Sequence, residues 1–225
     1  MRVRGLLVAV AAGLVAAALV SAASAANGDP RERHTPLGMV AASNGLLKRS
    51  DFGKDWKAKT AKPAGSSSLC RDTRPNLSDL VESGFAQSQD FNLGQLQSVS
   101  QWVRVFASPG QADKAWSRTV TIGLVSCLAK QLQAASNAKS KITIVGQYRL
   151  PVPKAGKNSA GFRVVSHAKT PDDSFNVYAD IVVVQQGRAI SVATMTGFIE
   201  PLATASEARL VRTIASRLGA RVGAA

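Results

Sequence analysis

The residues of this chain best suited to hold a ligand are arginines and aromatic rings spaced two apart along its apolar stretches. Successive side chains of a strand point to opposite faces of a sheet, so positions two apart share a face. If the strands keep this alternation in register, one face carries Val103, Val105, Val177, Ala179, Ile181 and Val183. The other face then carries a cationic, aromatic and polar set: Trp102, Arg104, Arg149, Arg163, His167, Tyr178 and Asp180.

This second set has a definite binding chemistry. Guanidinium groups beside aromatic rings hold anionic or sugar-containing ligands through charge-assisted hydrogen bonds and stacking. We therefore predict that all members of the set except Asp180 bind a ligand. The alternative is an ordinary solvated face of an antiparallel sheet, and a register slip of one residue would scatter the set.

Sequence motifs for catalysis are absent. Neither a G-x-S-x-G turn nor a phosphate-binding glycine loop occurs, and GKNSAG at 156–161 has the wrong spacing. Of the two histidines, His34 lies in a polar N-terminal segment and His167 in a candidate strand. The 14 acidic residues show no suggestive pairing, and no cluster has metal-ligand spacing. The sequence predicts a protein that is not an enzyme and holds no cofactor or metal. A triad assembled from distant positions, as in an envelope hydrolase, remains an alternative.

The N-terminal residues have the three parts of a secretory signal peptide. Arg2 and Arg4 supply a positive start, an apolar run follows, and small residues end at Ala25. We predict cleavage between Ala25 and Ala26, which makes residues 1–25 the signal and the mature protein secreted or extracytoplasmic. The alternative is an uncleaved anchor, although a spanning helix needs about 20 apolar residues.

The two cysteines, Cys70 and Cys127, both follow the predicted signal. An even number of cysteines in an oxidising compartment favours a disulfide. A bridge across the long loop between them would stabilise the fold by roughly 4 kcal/mol through chain entropy.

The charge balance is strongly basic. The chain has 28 Lys and Arg against 14 Asp and Glu, for a net charge of +14. Such a protein is attracted to anionic surfaces, so we expect possible peripheral contact with them. The basic residues are scattered and form no nucleic-acid recognition motif. We therefore predict no nucleic-acid partner, and a monomer.

The order of elements gives the fold class. Hydrophobic residues make up 45% of the chain and charged residues 19%, which is typical of a folded domain.

Residues 26–37 are polar and predict a flexible leader before a single domain at 38–225. Alternation predicts strands at 56–60, 85–91, 98–106, 142–150, 161–168, 176–185 and 188–197. Capping and apolar spacing predict helices at 40–48, 108–133 (with Cys127 on its buried stripe) and 205–218, the last capped by Thr204 and Glu207. Strands joined by short turns predict an α+β fold, an antiparallel sheet with helices packed on one face.

This order resembles a known family of extracellular domains. An apolar strand leads into Ser108-Pro109 and a helix with Ala112, Ala115 and Trp116; Cys127 follows, then NVYADIVVVQQGRAISV and an amphipathic helix. Over about residues 38–220 the pattern resembles the PknH-type extracellular sensor domain of actinobacterial kinases, secreted proteins and lipoproteins. The resemblance implies an antiparallel sheet with flanking helices, a cleft for an unidentified ligand, and no enzymatic activity. Members often carry two disulfides, whereas this chain has cysteines for one.

Together these patterns predict a secreted, non-enzymatic, sensor-like or binding domain for a cell-envelope component, which could be an anionic lipid, a glycan or a partner protein. One alternative is a structural or antigen-like secreted protein without a small ligand, and another is an envelope hydrolase. A cleft lined by the arginine and aromatic set would favour binding. A serine or carboxylate pair converging on His167 would favour the hydrolase.

Overall fold

A mixed sheet of nine strands forms the centre of the part of the chain that the computed structural model describes, residues 28–61, 75–137 and 139–222. The strands are β1 (Arg31–Glu32), β2 (Trp56–Lys59), β3 (Val81–Gln87), β4 (Asp90–Leu93), β5 (Gln97–Phe106), β6 (Lys141–Leu150), β7 (Asn158–Lys169), β8 (Ser174–Gln186) and β9 (Ala189–Phe198). Their order across the sheet is β1-β3-β5-β9-β8-β7-β6, with β4 paired to β5 and β2 to β4. Neighbouring strands are antiparallel, except that β1 runs parallel to β3.

Helices pack on both faces of this sheet. The helices are α1 (Pro36–Asn44), α2 (Pro109–Thr119), α3 (Ile122–Ala134) and α4 (Thr204–Val222), with a short 3-10 turn at Arg49–Asp51. Helices α1 and α4 share one hydrophobic core with the sheet, and α2 and α3 share another. We call the two sides the α1/α4 face and the α2/α3 face. The predicted α+β class is confirmed.

The helices differ from the prediction in covering two faces instead of one. All 10 residues of β9 are buried, and β8 is buried without interruption from Ala179 to Gln185. Val183 belongs to the α2/α3 core, whereas Val182 and Val184 belong to the α1/α4 core. A strand that is apolar at consecutive positions needs cover on both sides, so one layer of helices could not bury it.

The helix predicted at 108–133 is two helices. The first ends at Thr119, and the second begins after Thr121, whose side chain accepts a hydrogen bond from the Gly123 amide as an N-cap. The break restarts the helical turn, so the prediction that Cys127 lies on the buried stripe is wrong: Cys127 is half-buried. The buried residues of α3 are instead Val125, Leu128, Ala129 and Leu132. Cys70 lies outside the described residues, so the disulfide stays a prediction.

The N-terminal segment also differs from the expected leader. Arg31–Glu32 pairs with β3, and α1 begins at Pro36, where Thr35 caps it, instead of at residue 40. Helix α1 approaches β3 so closely that a Cβ on Gly84 would collide with the Gly38 carbonyl, and a Cβ on Gly38 would collide with the Ser83 carbonyl.

The predicted signal, with Ala25 and Ala26, lies outside the described residues. Within the described ranges, no helix combines the length and apolarity that crossing a bilayer requires.

The strands predicted from residue 98 onward are confirmed as β5 to β9, with bounds that differ by a few residues. Strands β8 and β9 form a tight hairpin in which Gln186 pairs with Ala189. Gly187 makes the turn with a φ of 55°, a conformation that glycine adopts without steric cost. These long paired strands position the residues of the candidate site.

Candidate functional site

The predicted ligand-binding residues do not share one face of the sheet. Trp102 pairs with Val192, which in turn pairs with Val183, and both valines belong to the α2/α3 core. Strand β5 is therefore offset by one residue from the register that we predicted relative to β8. Trp102, Arg104 and Arg149 lie on the α2/α3 face, whereas Arg163, His167, Tyr178 and Asp180 lie on the α1/α4 face.

Arg149 lies on the α2/α3 face because β6 contains a bulge. The pairing of β6 with β7 shifts between Ile144 and Gly146, which reverses the alternation for the rest of the strand. Arg149 consequently pairs with Phe162, and its guanidinium carbon lies 5.6 Å from the centre of the Phe162 ring. Tyr148, which we did not predict, takes the position beside Arg163. A glycine inside a strand is a sequence signal for such a bulge, and Gly146 could have supplied it.

Arg104 belongs to a compensated ion-pair cluster on the α2/α3 face. Its Nε lies 2.9 Å from Glu82 Oε2, and Glu82 Oε1 lies 2.9 Å from His34 Nε2. The guanidinium carbon lies 5.3 Å from the Trp102 ring centre and 5.9 Å from that of Phe85. Burial raises the pKa of Glu82, and the positive charge of Arg104 opposes this shift. Arg104 and Trp102 therefore contribute to packing and charge balance in this region.

The remaining three predicted residues lie together on the α1/α4 face, where α4 packs over β8 and β9. We call this surface the tyrosine patch, and define it as Tyr148, Arg163, Val165, His167 and Tyr178. In register, Tyr148 lies opposite Arg163, and Val165 lies between Gly146 and Tyr178. Tyr148 is 54% exposed, and Tyr178 is half-buried.

The ring of Tyr148 lies over Gly146. A Cβ at Gly146 would overlap the phenol end of that ring, so only glycine leaves room for it. This arrangement brings the ring into the row of residues that contains Val165 and Tyr178. The patch therefore has a small apolar floor at Val165, which is 9% exposed, with a tyrosine on each side.

Arg163 is held rigidly within the patch by an ion pair. Its Nε and Nη2 donate to the two carboxylate oxygens of Asp180 at 2.6 and 2.8 Å, and its guanidinium carbon lies 5.8 Å from the Tyr178 ring centre. Asp180 is 1% exposed. Burial raises the pKa of Asp180, and the hydrogen bond from Arg163 opposes this shift. Because the carboxylate compensates the charge of Arg163, this arginine is poorly suited to bind a second anion.

A buried acid beside this ion pair was missed in the sequence. Glu207 of α4 is 4% exposed, and its Oε1 has no hydrogen-bond partner among the described residues. Burial, and after it the charge of Asp180, raise the pKa of Glu207 to about 7 against the opposing effect of Arg163. We predicted a capping role for Glu207. Helix α4 instead begins at Thr204, and the Glu207 amide bonds to the Ala203 carbonyl.

The signal for Glu207 was its position on the apolar stripe of α4. Leu210, Val211 and Ile214 follow it by three, four and seven residues, and all three are buried. An acid at a position of this periodicity is expected to face the core. Asp180 and Glu207 therefore share one arginine, which is an arrangement that favours keeping a proton.

His167 contacts an amide at the edge of the patch. Its Nδ1 lies 3.1 Å from Asn176 Oδ1, which is the residue directly opposite it in β8. An amide can orient an imidazole but cannot serve as a nucleophile or a general base. This contact fits a binding surface better than a catalytic triad.

Comparisons with known proteins give a likeness of fold alone. The extracellular domain of PknH from Mycobacterium tuberculosis matches with a TM-score of 0.45 and 11% identity, covering 83% of this chain and 98% of that one. An uncharacterised protein from Mycobacterium smegmatis matches with a TM-score of 0.37 and 10% identity, covering 79% and 95%. No protein-family model and no curated protein sequence matches the chain. We carry no residue role over from these proteins.

Proposed function

We propose that this protein is a sensor-like binding domain of the cell envelope, without enzymatic activity, that holds a glycan on the tyrosine patch. The observation that supports this function is the pair of tyrosines, Tyr148 and Tyr178, on either side of the apolar floor at Val165. This surface spans β6, β7 and β8, and α4 packs against β8 and β9.

A glycan suits this surface better than an anionic lipid or another anion does. A sugar ring has an apolar side of C–H groups and a rim of hydroxyls, and a tyrosine likewise combines an apolar ring with a polar tip. Arg163 is compensated by Asp180, so it offers an oriented donor group with little net charge. His167 and Asn176 add further polar groups along the same two strands.

The extracytoplasmic location is part of the proposal and is supported by the sequence. The signal peptide predicted at residues 1–25 and the predicted disulfide of Cys70 with Cys127 are both typical of exported proteins. Peptide mapping of the secreted protein under non-reducing conditions should recover one linked peptide containing both cysteines and a mature N-terminus at Ala26. Two free thiols, or a mature chain that still begins at Met1, would contradict this part.

The binding function is tested by titrating the isotope-labelled mature protein with oligosaccharides released from bacterial envelope polymers. We expect amide resonance shifts concentrated at Gly146, Val165 and Asn176. Because buried aromatic contacts dominate binding energies, Tyr148→Ala and Tyr178→Ala should each weaken binding by about tenfold or more. The matched control is Arg149→Ala, which changes the neighbour of Tyr148 on the opposite face and should leave binding unchanged.

Each other outcome of this titration counts against the proposal in a distinct way. No shift with any oligosaccharide pool would favour the structural or antigen-like alternative. Equal losses in the Tyr148→Ala and Arg149→Ala variants would show that the tyrosine patch is not the site. Cleavage of an oligosaccharide during the titration would favour the envelope hydrolase.

A further inference from the structure

Helix α1 presents an unusual number of apolar side chains to solvent. Leu37 is 69% exposed, Val40 57% and Met39 38%. The inner side of the helix is built from small residues, Gly38, Ala41 and Ala42, all of which are buried. The helix is therefore apolar on both its inner and its outer side, and nothing in the described part of the chain covers the outer side.

Positive charges flank this apolar surface. Arg31 and Arg33 precede α1 and are exposed, and Lys48 follows it and is exposed too. The Arg31 amide bonds to the carbonyl of Leu80, directly before β3, and the Arg33 amide bonds to that of Glu82, so the two arginine side chains share one side of the strand. His34, one position on from Arg33, contacts Glu82 in the cluster of the α2/α3 face. The two arginines therefore lie on the α1 side of the sheet.

We infer that α1 is a docking surface for an anionic lipid bilayer, with Leu37, Met39 and Val40 entering the interface and Arg31, Arg33 and Lys48 contacting headgroups. Apolar side chains ringed by Lys and Arg are the features by which a short helix lies on a membrane without crossing it. Without the predicted signal, which contains Arg2 and Arg4 and no acid, the chain keeps 26 Lys and Arg against 14 Asp and Glu, and this net charge of +12 adds long-range attraction to such a surface.

Charge also argues against a second copy of this chain as the occupant. A symmetric contact through α1 would bring the Arg31 and Arg33 of one copy close to the cations of the other. An anionic bilayer satisfies both the apolar residues and the charges, because the apolar chains enter below a layer of negative headgroups. The inference does not depend on glycan binding by the tyrosine patch, which lies on β6, β7 and β8.

Vesicle sedimentation tests this inference with lipids alone. The mature protein should sediment with vesicles of equal parts phosphatidylcholine and phosphatidylglycerol, and about tenfold less with phosphatidylcholine vesicles, since each basic residue near the surface strengthens binding. Raising the salt concentration should weaken binding to the anionic vesicles. No sedimentation with the anionic vesicles at low salt would overturn the inference.

Variants separate the α1 surface from the overall charge of the protein. Leu37→Ser combined with Val40→Ser should reduce binding to anionic vesicles by about tenfold, because the apolar area that enters the interface is lost. Arg31→Ser combined with Arg33→Ser should reduce binding to the anionic vesicles only. The matched control is Val145→Ser, which removes a valine of 61% exposure on β6, at the other end of the sheet from β1.

The control should bind vesicles as well as the unaltered protein does. Equal binding by the α1 variants and the unaltered protein would mean that charge alone attracts the membrane and would overturn the inference. Equal losses in the α1 and Val145 variants would do the same. All substituted residues are exposed, so we expect each variant to fold. Circular dichroism spectra that match the spectrum of the unaltered protein should establish this.

Discussion

The two faces of the sheet carry ion-pair clusters that are built from the same parts but differ in charge balance. On the α2/α3 face, Glu82 lies between two bases, Arg104 and His34. On the α1/α4 face, two buried acids, Asp180 and Glu207, share the single base Arg163. In both clusters the arginine also lies beside an aromatic ring.

This difference in charge balance indicates which of the two clusters is suited to bind a ligand as well as to stabilise the fold. The rings beside Arg104 include Trp102, which packs against the hydrophobic core, and the charges of that cluster are compensated. The ring beside Arg163 is that of Tyr178, which lies across Val165 from the exposed Tyr148. The second acid gives this cluster a proton that exchanges near neutral pH. Exposure and charge balance, and not residue type, distinguish the candidate site from a structural ion pair.

The largest effect is expected for Glu82→Ala. This change leaves the guanidinium of Arg104, whose side chain is 17% exposed, without its carboxylate. Removing one partner of a buried pair leaves an uncompensated charge, so we expect the free energy of unfolding to fall by about 3 kcal/mol. Urea denaturation of the variant measures this loss. A fall of less than about 1 kcal/mol in the free energy of unfolding would mean that water or another acid compensates the charge of Arg104 in the variant.

The next effect is a pH dependence due to Glu207. Between its ordinary pKa of 4.5 and its folded pKa of about 7, the folded protein holds a proton that the unfolded chain has released. The free energy of unfolding therefore falls as the pH rises through this interval, by on the order of 3 kcal/mol. In Glu207→Gln this contribution is absent.

Urea denaturation at pH 5 and pH 8 measures the Glu207 effect as a difference between the two proteins. The variant should gain stability relative to the unaltered protein at pH 8, where the unaltered Glu207 is charged. Parallel pH profiles for the two proteins would show that Glu207 has an ordinary pKa.

A smaller effect is expected for Asp180→Asn. Arg163 loses its carboxylate, but Glu207 is close enough to interact with it electrostatically and can replace the lost charge. We expect a loss of about 1 kcal/mol in the free energy of unfolding at pH 8, well below that of Glu82→Ala. The pKa of Glu207 should also fall, because repulsion by Asp180 is gone. A loss as large as that of Glu82→Ala would mean that the two clusters respond alike.

The smallest effect on stability is expected for Gly146→Ala. The added Cβ meets the phenol end of Tyr148, and this ring can swing away because it is largely exposed. We expect the free energy of unfolding to change by less than about 0.5 kcal/mol. Oligosaccharide binding should weaken markedly in the titration described above, since the ring leaves the patch. Unchanged binding would separate the ring position from ligand recognition.

Much of the fold could be predicted from local patterns. Alternation located β5 to β9 to within a few residues, because each is a long strand with strong periodicity. Thr121 was overlooked as an N-cap, so α2 and α3 were merged into one helix. The run of valines in β8 indicates burial on both faces, yet it was interpreted as a strand covered on one side.

The site was harder to predict because it depends on register between distant strands. Strand β5 meets β9 across a long stretch of chain, and no local pattern fixes their offset, so Trp102 and Arg104 were assigned to the wrong face. The bulge at Gly146 then placed Tyr148, instead of Arg149, on the same face as Arg163. Arg163, His167 and Tyr178 were grouped correctly because β7 and β8 are joined by a short connection that fixes their register.

The crossing of Gly38 over Gly84 has a mechanical consequence. At this point the backbone of α1 rests on the backbone of β3, and no layer of side chains lies between them that could yield or slide. A force applied to the outer residues of α1 therefore passes directly into β3 and on to β5, its hydrogen-bonded neighbour. The angle between α1 and β3 therefore has little room to change, so a surface that α1 rests against would also orient the edge of the sheet at β3.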